Sequence, residues 1–578
     1  MNQELLLAHF DRISDAPNAI PRLRSFVLNL AVRGKLVEQN QSEESASALL
    51  ERIRTERARL VKEGKAREFN PLVLADGHTI VHKIPKNWKW VPLGETLNKH
   101  FGGGTPSKDK MAYWGGDILW ASVKDIGKDK YVDQTIDRIT EAGLADSSSN
   151  LIPPGNLIVV TRMGLGKVSI NRVPLAINQD LRALCLSSLT LVDYHYIFFK
   201  THAFVGTGLT VKGIKVGELL NIAFPLPPLA EQHRIVAKVD ELMALCDRLE
   251  AAKAERENRR DSLSAASHHR LNNGANPEVL RKHAHFYLDH FPRITNRPKE
   301  IRQLRQTILN LAVRGHLVRQ DPKDEPASFL STRLEAEART YAREQNIAPP
   351  KPEQIREENL PHRPPNGWIW TRLCSLFKVM TDGDHQPPPK TEEGIAFLTI
   401  GNITTGRLDF SNCRFVSESY LESVADYRKP SYGDILYTVV GATYGRPALV
   451  NTKRPFCVQR HIAILKPTNE VDTQFVYSLL ASPLIYDQAT RSTTGAAQPT
   501  VPLRPLRNFL VLLPPLAEQH RIVAKVNELM AVCDRLEAQL TTAQTESSRL
   551  LEAVLQRALA ENPHQQQSYR YPLQVSGL

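Results

Sequence analysis

Two proline-free stretches, Leu229–Asn276 and Leu516–Asn562, carry apolar residues at a helical rhythm. In the first they fall at Ile235, Val239, Leu242, Cys246 and Leu249. In the second they fall at Ile522, Val526, Leu529, Cys533, Leu536 and Leu540. Alternating steps of four and three are the heptad pattern of a coiled-coil seam. A helix of about 40 residues runs about 60 Å at 1.5 Å per residue, farther than a small domain covers. Such a helix exposes an apolar stripe, and two in one chain can bury each other's stripe as an antiparallel pair. The alternative is that each packs on its own domain. The segments Leu23–Lys62 and Leu304–Arg343 also read as largely helical, with Gly34 and Gly315 as C-caps after LNLAVR.

Between these helices the pattern changes. Residues 91–225 and 371–512 alternate short apolar runs with glycine and proline turns, as in DILWASV, NLIVVTR, DILYTVV and HIAILKP. Short apolar runs bounded by turn residues predict strands. VDYHYIFFKTHAF and VDTQFVYSLLAS read as helices within them. The expected fold class is α+β: two α/β domains separated by long antiparallel coiled-coil helices, with an internal tandem duplication and pseudo-two-fold symmetry.

The duplication is explicit. LPPLAEQHRIVAKVDELMALCDRLE at Leu226–Glu250 returns at Leu513–Glu537 with two differences. LRSFVLNLAVRGKLV at Leu23–Val37 returns as LRQTILNLAVRGHLV at Leu304–Val318. A tryptophan pair follows each arm, Trp88 with Trp90 and Trp368 with Trp370, and reads as structural packing between helix and domain. The inserts barely match, but weak echoes remain: DILWASVKDI at Asp117 lines up with GIAFLTIGNI at Gly394, and PPGNLIVVTRMGLGKVSI at Pro153 with SYGDILYTVVGATYGRPALV at Ser431. A near-identical frame thus carries two divergent inserts.

Composition sharpens this picture only in part. Lys and Arg number 74 against 62 Asp and Glu, a formal charge of +12, which favours polyanions such as nucleic acid. The six cysteines form no CxxC pair or zinc cluster and read as reduced, mostly buried thiols. No signal peptide or membrane span is expected, which points to the cytoplasm. Lys167 follows a GLG run, but the spacing of a phosphate-binding loop fails. No dinucleotide signature, amino-methyltransferase NPPY-type loop or nuclease cluster is visible, so no catalytic, cofactor-binding or metal-binding residue is assigned.

The polar, glycine-rich loops between strands are the candidate readers. Arg, Lys, Asn and Gln fit base edges, while Ser, Thr and backbone N–H groups meet phosphates. In the first insert the candidates are Gly104, Thr105, Ser107, Lys124, Thr161, Arg162, Lys167, Asn178 and Gln179. In the second they are Asp384, His385, Gln386, Asn402, Thr443, Arg446, Arg460 and Gln498. Trp114 and Trp120 read as core, with base stacking the alternative.

Together these motifs resemble the specificity (S) subunit of a type I restriction–modification system. The resemblance rests on the duplicated LAVRG[KH]LV arms with their following ASxxL helices, the tryptophan pairs, GGGTPS…YWGGDILWASVKDI, INQDLRAL and both LPPLAEQHRIVAKV helices. It covers nearly the whole chain. It implies two target-recognition domains, each reading half of a split double-stranded DNA sequence through the major groove, and helices that fix the gap between halves. It also implies two modification (methyltransferase) subunits that bind S-adenosylmethionine and methylate adenine N6. Two restriction (endonuclease/translocase) subunits, driven by ATP with Mg, would join them. Its recognition loops would be Gly102–Ser107, Thr161–Lys167, Asp382–Gln386 and Gly441–Arg446. YWGGDI occurs only in the first copy, which implies unlike half-sites.

The domains expected on this basis are an N-terminal helical docking arm (1–90), a first target-recognition domain (91–228) and a central spacer helix (229–270). A linker with the second arm (271–370), a second target-recognition domain (371–515), a C-terminal spacer helix (516–562) and a tail (563–578) follow. The rivals are a methyltransferase or nuclease fused to two reading domains, and a helical protein scaffold with no DNA role.

Overall fold

The computed structural model describes residues 16–74, 82–204, 213–272, 277–383, 389–495 and 497–559. The chain divides into two units, Met1–Glu255 with Gln544–Leu578, and Arg256–Ala543. Each holds one α/β domain and one helical arm.

In the first unit the arm helices are Ala19–Val32 and Ala46–Lys62. The strands are β1 (Lys89–Pro92), β2 (Leu97–Gly102), β3 (Trp114–Ala121), β4 (Tyr131–Val132), β5 (Asp137–Ile139), β6 (Leu151–Ile152), β7 (Leu157–Val160), β8 (Val168–Asn171), β9 (Leu175–Ile177), β10 (Leu181–Leu186) and β11 (Ala223–Leu226). β1 pairs antiparallel with β11, so the chain enters and leaves the domain side by side. A five-stranded sheet runs β2-β10-β7-β8-β4 and a four-stranded sheet β5-β3-β9-β6, the latter containing a parallel β3–β9 pair.

β7 shows why its sequence is an unbroken apolar run. Successive side chains of a strand point to opposite faces. Leu157 and Val159 pack with Tyr194, Ile197 and Phe198 of the helix Val192–Thr201. Ile158 and Val160 pack with Ala121, Ile126, Leu175 and Ile177 on the other side. Both faces are covered, so alternation with polar residues is absent.

The second unit repeats the plan with β12 (Ile369–Arg372), β13 (Phe377–Asp382), β14 (Ile395–Leu398), β15 (Arg414–Val416), β16 (Ile435–Thr438), β17 (Pro447–Leu449), β18 (Phe456–Val458), β19 (Ile462–Pro467) and β20 (Leu510–Leu513). β12 pairs with β20, the larger sheet runs β13-β19-β16-β17, and the smaller runs β15-β14-β18 with a parallel β14–β18 pair. The weak sequence echoes are therefore structural equivalences. Asn178 N–H bonds the Ala121 carbonyl as Gln459 N–H bonds that of Leu398, and Val160 N–H bonds Lys167 as Thr438 N–H bonds Arg446.

Two helices of 44 residues, Leu229–Asn272 and Leu516–Leu559, link the domains. Each begins in one unit and ends in the other. Within the first unit, Ala19–Val32 bonds to parts of both. Arg24 pairs with Asp247 (2.5 Å) and Glu250 (2.7 Å), and Arg22 with Glu552 (2.5 Å). Gln39 reaches Glu231 and Lys35 reaches the Leu559 carbonyl at 2.9 Å. The arm thus runs opposite to the first long helix and along the second, and the two long-helix segments run antiparallel. The second unit repeats this: Arg305 meets Asp534 and Glu537, Gln320 meets Glu518, and His268 meets Thr307.

The expected seam has a different destination from mutual burial. Ile235, Val239 and Leu242 join the core of the first domain. Ile522, Val526, Leu529, Cys533, Leu536 and Leu540 join the core of the second unit. Cys246 is buried and Leu249 is 37% exposed. The heptad rhythm therefore serves each repeat's own domain and arm. The preserved EQ of each LPPLAEQ motif closes that joint. Trp88 Nε1 donates to Glu231 at 2.8 Å and Trp368 Nε1 to Glu518 at 2.9 Å. Gln232 accepts from Leu191 N–H and donates to the Pro227 carbonyl; Gln519 does the same for Asp472 and Pro514. Burial holds both carboxyls above their ordinary value, opposed by the tryptophan hydrogen bonds. None of the six cysteines is joined in a disulfide, and five of them are buried.

Candidate nucleic-acid interface

In the first domain four loops converge beyond the ends of the strands. The chain leaving β2 crosses the end of β9 so closely that a Cβ on Gly103 would lie 2.0 Å from the Ile177 carbonyl oxygen. Thr105 Oγ1 then donates to Gln179. Thr161 N–H and Oγ1 both donate to the Asp180 carbonyl, which ties the β7–β8 loop to the turn after β9. A Cβ on Gly127 would meet Lys167, so the turn after β3 lies beside the same loop.

This geometry sorts the expected residues. Gly104 is buried and both its backbone groups are bonded inside the domain, its N–H to Ile177 and Ser149, its carbonyl to Trp120 Nε1 and Ser149. Thr161 is buried, and Asn178 bonds Asp180 through both its side-chain oxygen and nitrogen. These three hold the loops. Ser107, Lys124, Arg162, Lys167 and Gln179 are exposed and Thr105 is half-buried. Arg162 is held only loosely, 3.8 Å from Asp180. Trp120 is core, and Trp114 packs edge-on against it at 5.1 Å while donating to the Ser107 carbonyl.

The second domain is built alike. A Cβ on Gly383 would lie 2.0 Å from the Val458 carbonyl oxygen. Arg428 donates to the Asp382 and Gly383 carbonyls and pairs with the Asp382 carboxylate at 3.0 Å. Asn402 is buried: its Oδ1 accepts from Thr399 and its Nδ2 donates to the Asp409 carbonyl. Asp125 holds Ser122 in the same way in the first domain. Arg446 is exposed and reaches the Thr404 carbonyl at 2.8 Å. Arg460 and Gln498 are exposed, and the Thr443 carbonyl accepts from Thr438 Oγ1. Asp384, His385 and Gln386 lie outside the described residues. Burial, with the adjacent Arg460 charge, holds His461 below its ordinary pKa.

Sequence reasoning missed the residues that shape the loops: Asp125, Ser149, Asp180 and Arg428. Asp125 was findable, because the echo of DILWASVKDI with GIAFLTIGNI places it opposite Asn402. Ser149 and Arg428 act across long sequence separations, so no local signal marks them. Among the described residues no group of three or more His, Cys, Asp and Glu could hold a metal ion, and no helix is long and apolar enough to cross a membrane.

One skeleton used twice, with unlike side chains at its loops, defines a tandem-repeat protein of two α/β domains. The profile of the type I restriction modification DNA specificity domain matches residues 85–256 and again 367–543. The chain belongs to that family, and as a member it is a DNA-specificity subunit and not itself a catalyst. It is 27% identical over 571 residues to the type I restriction enzyme EcoEI specificity subunit of Escherichia coli, covering 93% of this chain and 94% of that protein. It is 26% identical to the EcoAI specificity subunit of Escherichia coli over 562 residues, with the same coverage. A crystal structure of the HsdS subunit from Thermoanaerobacter tengcongensis matches with 17% identity and a TM-score of 0.41, covering 83% of this chain and 98% of that one.

Proposed function

We propose that the chain reads a split, asymmetric DNA target with two target-recognition domains, residues 91–228 and 371–515, and directs partner subunits to it. The observation that carries this reading is the turn at the end of β9 and β18. It is bonded identically in both domains, yet Gln179 and Asp180 in one stand where Arg460 and His461 stand in the other. Glutamine favours adenine and arginine favours guanine in the major groove, so one frame presents two different chemistries.

The long helices act as the spacer between half-sites, because two linked readers gain affinity only when both sites are spanned together. The exposed faces of the arm helices are the docking surface for other subunits. Two modification subunits, which hold S-adenosylmethionine, methylate adenine N6; two restriction subunits, which use ATP and Mg, cleave. Lys124, Arg162, Lys167, Arg446 and Arg460 are the exposed cations best placed to meet phosphate or base edges, with Thr105, Ser107, Gln179, Thr443 and Gln498 beside them. The protein works in the cytoplasm.

The test is methyl transfer from labelled S-adenosylmethionine to genomic DNA by this chain with its modification subunit, followed by mapping of the methylated adenines. A bipartite, non-palindromic motif with one fixed gap is expected. Methyl transfer by this chain alone, or a continuous palindromic motif, would overturn the reading.

A further inference from the structure

Three non-glycine residues among those described have left-handed backbone: Asn18, Asn346 and Met163. Asparagine tolerates that region because its short amide bonds locally. Methionine has no such compensation, yet Met163 has φ of 58°. It stands in the β7–β8 loop, which is pinned at its base by Val160 N–H to the Lys167 carbonyl (3.0 Å) and Thr161 N–H to Asp180 (2.8 Å). The conformation is therefore imposed by the loop and is not a free choice of the residue.

The second domain shows what this position looks like when no side chain is needed. Thr161 and Val439 are equivalent: each donates its N–H to the turn after the parallel strand, to Asp180 and to His461, and each carbonyl accepts from an equivalent residue, Ile214 or Val501. Two residues on from Thr161 is Met163; two residues on from Val439 is Gly441, with φ of 83°. Glycine takes this conformation without steric cost. The first domain instead carries a long apolar side chain there, and that side chain is 66% exposed. The loop that carries it also displays cations. Arg162 and Lys167 in the same loop are exposed, and Gly164 packs beside Val123, next to the exposed Lys124.

A strained backbone that holds an exposed apolar side chain among cations contributes nothing to the core and costs stability. Such features concentrate where a ligand is met. We propose that Met163 is the apolar base contact of the first recognition domain. Its thioether side chain would press against a base step or a thymine methyl while the flanking cations hold the phosphates. This rests on the DNA-reading assignment above and adds a specificity-determining residue to it. The second domain, with glycine at this position, makes no such contact.

The test uses the full chain assembled with its modification subunit. It compares binding to a duplex carrying the mapped target with binding to duplexes in which the first or the second half-site is scrambled. Met163→Gly should keep or raise the thermal midpoint and reduce preference for the intact first half-site at least about tenfold, the scale of one buried apolar side chain. Met163→Gln, of similar length but polar, should lose preference as well, and Met163→Leu should keep it. Dependence on the second half-site should not move. Unchanged first-half preference in Met163→Gly, or full preference in Met163→Gln, would overturn the inference alone. A wild-type complex that prefers no duplex would instead overturn the DNA reading on which it rests.

Discussion

The two recognition domains share a skeleton and differ in what they display on it. Both larger sheets place a six-residue strand second in order, β10 between β2 and β7 and β19 between β13 and β16, and both smaller sheets hold one parallel pair. Both clamp the loop leaving the first strand of the larger sheet with a glycine, Gly103 or Gly383, pressed on a strand-end carbonyl. The displayed residues are unrelated: Gln179 against Arg460, Asp180 against His461, Met163 against Gly441. Even the cores diverge. His195 and Thr96 form a buried hydrogen-bonded pair in the first domain, where Val476 and Leu376 meet the same surroundings in the second. Backbone register is what the duplication preserves, and side chains are free to drift wherever register does not depend on them.

The largest effects should follow from breaking that shared register. Gly103→Ala or Gly383→Ala forces a Cβ into a backbone carbonyl, which cannot swing away like a side chain. Each should destabilise its own domain by about 3 kcal/mol, the upper end for overpacking, and leave the other intact. Hydrogen exchange of β10 and β19 amides resolves the two. If either substitution is silent, the equivalence of the two loops is broken.

Next in size is the joint between domain and frame. Trp88→Phe and Trp368→Phe each remove a donor from a buried carboxyl, Glu231 or Glu518. Each should cost about 1–3 kcal/mol, and the two losses should be equal by thermal or chemical denaturation. Unequal losses would show that the frame is less symmetric than its hydrogen bonds.

Much of this was legible in the sequence, for physical reasons that differ by level. Long-range repetition exposed the frame because Glu231, Gln232 and their copies make the same bonds in both joints. The long helices were visible because helical rhythm is local. Their partners were not, because a 4–3 stripe looks the same whether it faces a second helix or, as Ile235 and Ile522 do, a domain core. The loops beyond the strand ends were marked from composition as candidate readers, but residue type cannot separate Asn402, whose amide caps a turn, from an asparagine free to meet a base. Nothing in the sequence set Met163 apart within its glycine-rich run, since backbone sign is invisible in sequence.

Smaller effects should appear at the displayed residues. Gln179→Ala and Arg460→Ala alter exposed side chains and should leave the thermal midpoint unchanged. Each should relax methylation at one half-site about tenfold, within the cost of a single base contact of roughly 1–3 kcal/mol, with the other half unaffected. The mapped motif of each variant is the readout. Relaxation of both halves by either substitution would mean that the two domains do not read independently.

The smallest difference is one of acid sensitivity. His195 is fully buried, with Nδ1 at the Leu191 carbonyl and Nε2 at Thr96 Oγ1, each 2.9 Å away. Burial lowers its pKa from 6.5 to about 4. A histidine held neutral in the fold contributes stability that is present above its unfolded pKa. As pH falls from 6.5 towards 4, the unfolded chain binds a proton that the folded domain refuses, and stability declines through that window. His202, also lowered to about 4 by burial, adds to the decline in the same domain. Val476 occupies the His195 position in the second domain and cannot titrate. Between pH 7 and pH 5, amides of β7 and β10 should therefore lose more exchange protection, after correction for intrinsic rates, than those of β16 and β19. His195→Val should narrow the difference without closing it, because His202 remains. An unchanged difference in His195→Val would place the acid sensitivity elsewhere.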